Sequence, residues 1–227
     1  EDLRAAIAKR FGCAAEHIVC GTGSDELIGL LIKAYAGPGD EVLHSRHGFM
    51  MYPISTRSAG ATPVAAAETN YTVDVDAMLA CVTPRTKLGF VANPNNPTGT
   101  VVDSNRLRDF CTSLPGQATV LVDEAYLEFT DNFADDSMVD LVRKDHNVIS
   151  CRTFSKRHGL AGMRMGYSIA RPEISRRFKR SPRFRTIGTR EVPVRGLRCQ
   201  RTAGMSTWPI EVTTVLPPFA SISSRGG

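Results

Sequence analysis

The sequence predicts an α/β protein in which a mostly parallel sheet is flanked by helices, a three-layer arrangement. Three observations lead there. Helical and strand patterns alternate from residue 1 to about residue 171. Several strand segments are apolar throughout, as strands covered on both faces are. The polar motifs fall where strands end, which is where open parallel sheets collect ligands.

The segment "EDLRAAIAKRF" (1–11) is an amphipathic helix and "HIVCG" (17–21) a short strand. "SDELIGLLIKAYA" (24–36) sets apolar residues at 27, 28, 30, 31 and 32 around a helix that Gly37-Pro38-Gly39 stops. "DEVLHS" (40–45) is a strand, "MMYPISTRSAG" (50–60) a weaker helix closed by Gly60, and "TPVAAA" (62–67) a strand. Asp74 opens the helix "DVDAMLACV" (74–82). The apolar strands "KLGFVAN" (87–93) and "ATVLVDE" (118–124) flank the helix "SNRLRDFCTSL" (104–114), and "NVISCRT" (147–153) and "MGYSIA" (165–170) add two more strands.

With 227 residues, 42% hydrophobic and 22% charged, the chain can bury one substantial core. The formal charge of +5 invites a nucleic-acid reading, but its distribution argues against one. Residues 178–227 hold nine Lys/Arg against two Asp/Glu, so the body before them is mildly acidic. That last stretch has eleven Ser/Thr, five Pro and five Gly and no sustained helical or strand period. Three explanations compete for it: a disordered tail, a basic arm, or sequence in a shifted frame. A basic arm is denser in Lys/Arg and poorer in Val, Ile, Leu and Phe, and apolar clusters such as "VTTVLPPF" fit the shifted frame better. The six cysteines (13, 20, 81, 111, 151, 199) form no C-x-x-C pair and follow no secretory leader, so we read them as buried thiols of a cytoplasmic protein. No apolar run approaches the ~20 residues of a membrane span. The opening "EDLRAAIAKRFG" has no initiator methionine, and we read the chain as a piece of a longer one.

"GTGSDE" (21–26) follows a strand and opens a helix, so the amides near Ser24 and Asp25 form an anion cradle or, more simply, an ordinary N-cap. "ANPNNPTGT" (92–100) follows another strand and by itself reads as a turn-rich loop. The strand "ATVLVDEAY" ends in Asp123, with Tyr126 three residues further. A carboxylate at the end of an apolar strand costs several kcal/mol unless a cation or hydrogen-bond donor meets it. In "TFSKRHGLAGMRMGY" (153–167), Lys156 sits in a small-residue loop and Arg164 follows eight residues on.

"GTGSDEL", "ANPNNPTGT", "VDEAYLEF" and "TFSKRHGLAGMRMGY", in that order, resemble the pyridoxal-phosphate-dependent aminotransferases of fold type I, and "DVDAMLACVTPRTK" resembles their histidinol-phosphate branch. The resemblance covers residues 1–177 and implies the cofactor-binding large domain, with residues 178–227 as an atypical basic tail. It implies pyridoxal 5'-phosphate as cofactor, an amino donor and a 2-oxo acid as substrates, and a homodimer in the intact enzyme; the histidines show no metal spacing, and the charge distribution and short apolar runs argue against nucleic acid and membrane. Lys156 matches the lysine that binds the cofactor aldehyde and moves the proton during transamination. Asp123 matches the acid that pairs with the ring nitrogen. Asn96 and Tyr126 match the partners of the ring oxygen, and Phe49 of "HGFMMY" the residue stacked on the ring. Ser24, Asp25, Thr153, Ser155 and Arg164 match the phosphate site.

The family's N-terminal segment and its C-terminal small domain, which carries a carboxylate-binding arginine, are not recognisable. The expected activity is transfer of the amino group of histidinol phosphate to 2-oxoglutarate in histidine biosynthesis. The alternatives are a cofactor-holding remnant without turnover and a related enzyme, such as an aromatic aminotransferase or a threonine-phosphate decarboxylase.

Overall fold

The computed structural model describes residues 3–180. In chain order its elements are α1 Leu3–Phe11, β1 Ile18–Gly21, α2 Ser24–Tyr35, β2 Glu41–Ser45, α3 Met51–Ser58, β3 Thr62–Ala66, the short strands β4 Glu68–Thr69 and β5 Thr72–Val73, α4 Val75–Ala80, β6 Thr86–Ala92, α5 Ser104–Ser113, β7 Thr119–Asp123, α6 Phe133–Asp136, α7 Val139–Arg143, β8 Val148–Thr153, β9 Gly166–Ala170 and α8 Pro172–Arg180. Local chemistry accounts for several boundaries. The Asp74 carboxylate accepts the Ala77 amide at 3.0 Å and starts α4, and Asp103 accepts the Asn105 and Arg106 amides at the start of α5. Gly60, at φ 80°, supplies the left-handed turn after α3.

Seven strands form one sheet in the order β1-β9-β8-β7-β6-β2-β3. Strands β3, β2, β6, β7 and β8 pair in parallel. Strand β9 is antiparallel to both β8 and β1, so β1 points the same way as the other five. A parallel return needs a crossover that is usually helical. Between β8 and β9 the chain makes one 3-10 turn, Ala161–Met163, and comes back along the same edge.

The period of two sorts the two faces. Phe90, Leu121, Ile149 and Ala170 are register neighbours and share a core with Leu27, Ile28, Leu31 and Ile32 of α2, Tyr52 of α3 and Phe178 of α8. The four α2 side chains are fully buried, each stabilising by about 1.5–3 kcal/mol. Between Leu88 and Phe90, Gly89 points the other way, where a Cβ would touch the Phe110 ring of α5 at 3.4 Å. Helices therefore cover both faces, as the apolar strands predict.

Helix α8 crosses the composition break at residue 178, and Phe178 is fully buried. The expectation that the basic tail is disordered or frame-shifted falls on residues 181–227, outside the described residues. Among the described residues no helix is long and apolar enough to cross a membrane, and no cluster of His, Cys, Asp and Glu is placed to hold a metal ion.

Candidate active site

Because β1, β2, β6, β7 and β8 point the same way, their carboxyl ends, Gly21, Ser45, Ala92, Asp123 and Thr153, lie along one edge of the sheet. The start of β9 joins them, since Gly166 is the register partner of both Thr153 and Gly21. Each candidate residue lies at one of these ends or in the loop beyond it. Parity then selects a face: Asp123 is two residues from Leu121 and beside Cys151, both in the α2 core.

Asp123 is 6% exposed. The Tyr52 hydroxyl donates to its Oδ2 at 3.0 Å and the Ala125 amide to its Oδ1 at 3.1 Å. Burial pushes the carboxyl up to about 6, against the pull of those two hydrogen bonds and the Lys156 charge. A carboxylate of this kind prefers a cationic or proton-bearing partner.

Lys156 is exposed in the loop after β8, and its Nζ lies 5.0 Å from the centre of the Tyr126 ring. Tyr126 is half-buried in the loop that follows Asp123. Thr153 is buried; its hydroxyl accepts the Ser155 amide at 3.1 Å and donates to the Met165 carbonyl at 3.3 Å, so it shapes the loop that carries Ser155 and Lys156.

Ser24 and Asp25 open α2, whose N-cap is Gly23 at φ 99° with no side-chain cap. The first amides of a helix have no intrahelical acceptor and carry the positive end of its dipole. Arg164, itself left-handed at φ 50°, reaches back so that Nη2 meets the Thr22 carbonyl at 3.4 Å. Two glycines make the approach possible. A Cβ on Gly23 would come within 3.1 Å of Arg164 Nη2, and one on Gly166 would lie 2.5 Å from the Gly23 carbonyl carbon and 2.6 Å from the Ser24 nitrogen. The donor set of amides, hydroxyl and guanidinium suits a phosphate.

Phe49 and Asn96 complete the rim. Phe49 follows β2, is half-buried, and meets Tyr52 edge-on at 5.7 Å. Asn96 is half-buried in the loop after β6. Its neighbour Asn95 is the buried one, donating to Thr98 Oγ1 at 2.8 Å and to the His47 carbonyl at 3.3 Å and so fixing that loop against the one carrying Phe49. All ten sequence-predicted residues thus lie at, or in the loops just beyond, the strand ends of one sheet edge.

Sequence reasoning does not single out Tyr52, the Gly23–Gly166 contact, or the buried Glu124–Arg152 pair behind the site. Tyr52 had a signal: three residues after Phe49 at the start of a helix, it shares a face with it.

The aminotransferase class I and II family matches residues 1–190. The chain is 51% identical over 175 residues to histidinol-phosphate aminotransferase of Paramagnetospirillum magneticum, covering 77% of this chain and 48% of that protein. It is 50% identical over 174 residues to an aromatic amino acid aminotransferase of Mycolicibacterium smegmatis, covering 76% and 48%. The crystal structure of histidinol-phosphate aminotransferase from Sinorhizobium meliloti, in complex with pyridoxal-5'-phosphate, superposes with a TM-score of 0.72 at 31% identity over 81% of this chain and 50% of that one. The chain spans about half the length of the curated relatives it matches. With its fold, its order of strand-end motifs and these relatives in agreement, the chain belongs to the class I and II aminotransferases.

Proposed function

We propose that this chain is the cofactor-binding portion of a pyridoxal-phosphate-dependent aminotransferase that moves the amino group of histidinol phosphate to 2-oxoglutarate in histidine biosynthesis. The observation that carries the reading is the pairing, along one strand edge, of a buried acid faced by a lysine with an anion cradle backed by an arginine. The residues fit the cofactor on two counts. Gly23 and Gly166 leave the α2 amides and Arg164 close together where a phosphate would be gripped. Asp123 has the burial that makes a charged ring nitrogen a favourable partner.

When bound, pyridoxal phosphate supplies an aldehyde that captures amines covalently and a ring that withdraws electrons from the bond being broken. The chain's residues do the rest. The amides of Ser24 and Asp25, the Ser155 hydroxyl and Arg164 bind the phosphate, with Thr153 shaping the loop. Asp123 holds negative charge at the ring nitrogen. Phe49 covers the ring and Asn96 and Tyr126 orient its oxygen. Lys156 carries the amine that binds the aldehyde and afterwards accepts and returns a proton at Nζ. The intact enzyme in this reading is a homodimer, as the family resemblance implies, and cytoplasmic, the reading favoured by cysteines that form no C-x-x-C pair.

The test adds pyridoxal phosphate, then histidinol phosphate and 2-oxoglutarate, to the full-length protein and measures glutamate. Glutamate that forms and is lost in Lys156→Ala is the expected result. Cofactor binding without glutamate would overturn the proposed activity in favour of a cofactor-holding remnant. Glutamate from aromatic amino acids alone would reassign the substrate, a reading favoured by the 50% identity to the aromatic enzyme.

A further inference from the structure

Two cofactor-facing candidates, Asp123 and Phe49, converge on one side chain that faces no cofactor position itself. Tyr52 is 1% exposed. Its hydroxyl donates to Asp123 Oδ2 at 3.0 Å. Its ring stacks on Phe90 at 4.9 Å and 23°, while Phe49 meets it edge-on at 5.7 Å and 89°. We infer that Tyr52 is a positioning residue of the site, fixing the Asp123 carboxylate from behind while setting the plane of the Phe49 ring. The inference deepens the proposed cofactor reading and rests on it.

The geometry has a mechanical logic. Phe90 is anchored in the sheet two residues before Ala92, which is the register partner of Asp123. Stacking on Phe90 therefore ties the α3 side chain to the strands that carry the acid. The Tyr52 hydroxyl and the Ala125 amide occupy one lone pair on each carboxylate oxygen, which fixes the plane of the carboxylate. Both bonds favour its ionised form. The ionisable groups facing Asp123 are Tyr52 from α3, Lys156 from the loop after β8, Cys151 from β8 and Glu124 next in the chain. Of these, Lys156 pulls the carboxyl down and Glu124 pushes it up. The Tyr52 hydroxyl itself is held well above its ordinary range by burial and by the Asp123 charge, so it stays a donor at all working pH values.

Tyr52→Phe keeps the ring, and with it the contacts to Phe90 and Phe49, while removing the donor. The experiment follows the Asp123 carboxyl by carbon NMR in the cofactor-free protein and, separately, titrates pyridoxal phosphate at neutral pH. We expect the Asp123 midpoint, about 6 in the parent, to move up in Tyr52→Phe, and the affinity for pyridoxal phosphate to fall about tenfold. Should Tyr52→Phe not fold, fluorotyrosine at position 52 retains the ring and a more acidic hydroxyl, and the midpoint should move down. An unmoved midpoint in either variant overturns the inference, and so does a moved midpoint with unchanged affinity for pyridoxal phosphate, which would leave Tyr52 a structural partner of Asp123 only. A parent protein that fails to bind pyridoxal phosphate would instead overturn the cofactor reading.

Discussion

Asp123 and Glu124 are consecutive, both carboxylates and both buried, yet they are treated oppositely. Glu124 is 1% exposed and saturated: it accepts from Arg152 Nε and Ser150 Oγ, each at 2.8 Å, from the Met138 amide at 2.7 Å and from Ser137 Oγ. Arg152 also donates to Ser137 and lies 3.5 Å from Glu128. Asp123, on the other face, has two neutral donors and a lysine held away on the Tyr126 ring. Burial raises its carboxyl to about 6. A buried acid whose charge is fully matched is part of the fold, because any change leaves an unpaired charge. A buried acid left with its charge under-matched costs stability, and such costs gather where chemistry is done. Parity along β7 and β8 sends one acid to each face.

The largest effect expected from this contrast is on the saturated side. Arg152→Met leaves Glu124 buried without its cation and should destabilise the fold by about 3–5 kcal/mol, read by urea unfolding. A loss below about 1 kcal/mol would break the contrast.

On the other side, Asp123→Asn should stabilise the cofactor-free protein at neutral pH. The sign follows from the raised carboxyl. Between its unfolded value near 4 and its folded value of about 6, the folded state binds more protons, so this group's contribution falls as pH rises through that window and the penalty is complete above it. An amide can meet both the Ala125 amide and the Tyr52 hydroxyl, so Asp123→Asn should gain about 1–3 kcal/mol over the parent at pH 7 and little at pH 4. Unfolding curves for the pair across that range check it. In the glutamate assay of the proposed activity the same substitution should remove most of the product.

Gly166→Ala tests the packing of the cradle. Its Cβ would fall 2.5 Å from the Gly23 backbone, which should cost about 1–3 kcal/mol and weaken pyridoxal phosphate binding, measured by equilibrium dialysis. The smallest expected effect is on the lysine: Lys156→Ala removes a charge that lowers the Asp123 carboxyl, so the carboxyl midpoint should rise slightly in the cofactor-free protein. A fall would mean the two charges do not face each other.

Much of this was legible in the sequence. Apolar strands such as "KLGFVAN" and the helix "SDELIGLLIKAYA" announce themselves by period, and the chemistry-bearing motifs sit at strand ends because parallel strands leave their carboxyl ends open. The rest depends on tertiary context. Tyr52 on a helix face reads as core, and only its hydroxyl's approach to Asp123 across 71 positions of sequence gives it a role. Arg152, inside the strand "NVISCRT", gives no sign that it is buried against Glu124. The β4–β5 hairpin turns through Asn70 and Tyr71 at φ 51° and 59°, without the Asn-Gly pair that marks such a turn. The reversal of β9 comes from the loop path, which residue patterns do not encode.

Peptide mapping can show whether this strand edge holds pyridoxal phosphate with Lys156 as the attachment point and Asp123 behind it. The protein is incubated with pyridoxal phosphate, reduced with borohydride and digested. The added mass is expected on the peptide bearing Lys156, lost in Lys156→Ala and weakened in Asp123→Asn. Label spread over surface lysines such as Lys9 and Lys144, at the same level in Lys156→Ala, would contradict it.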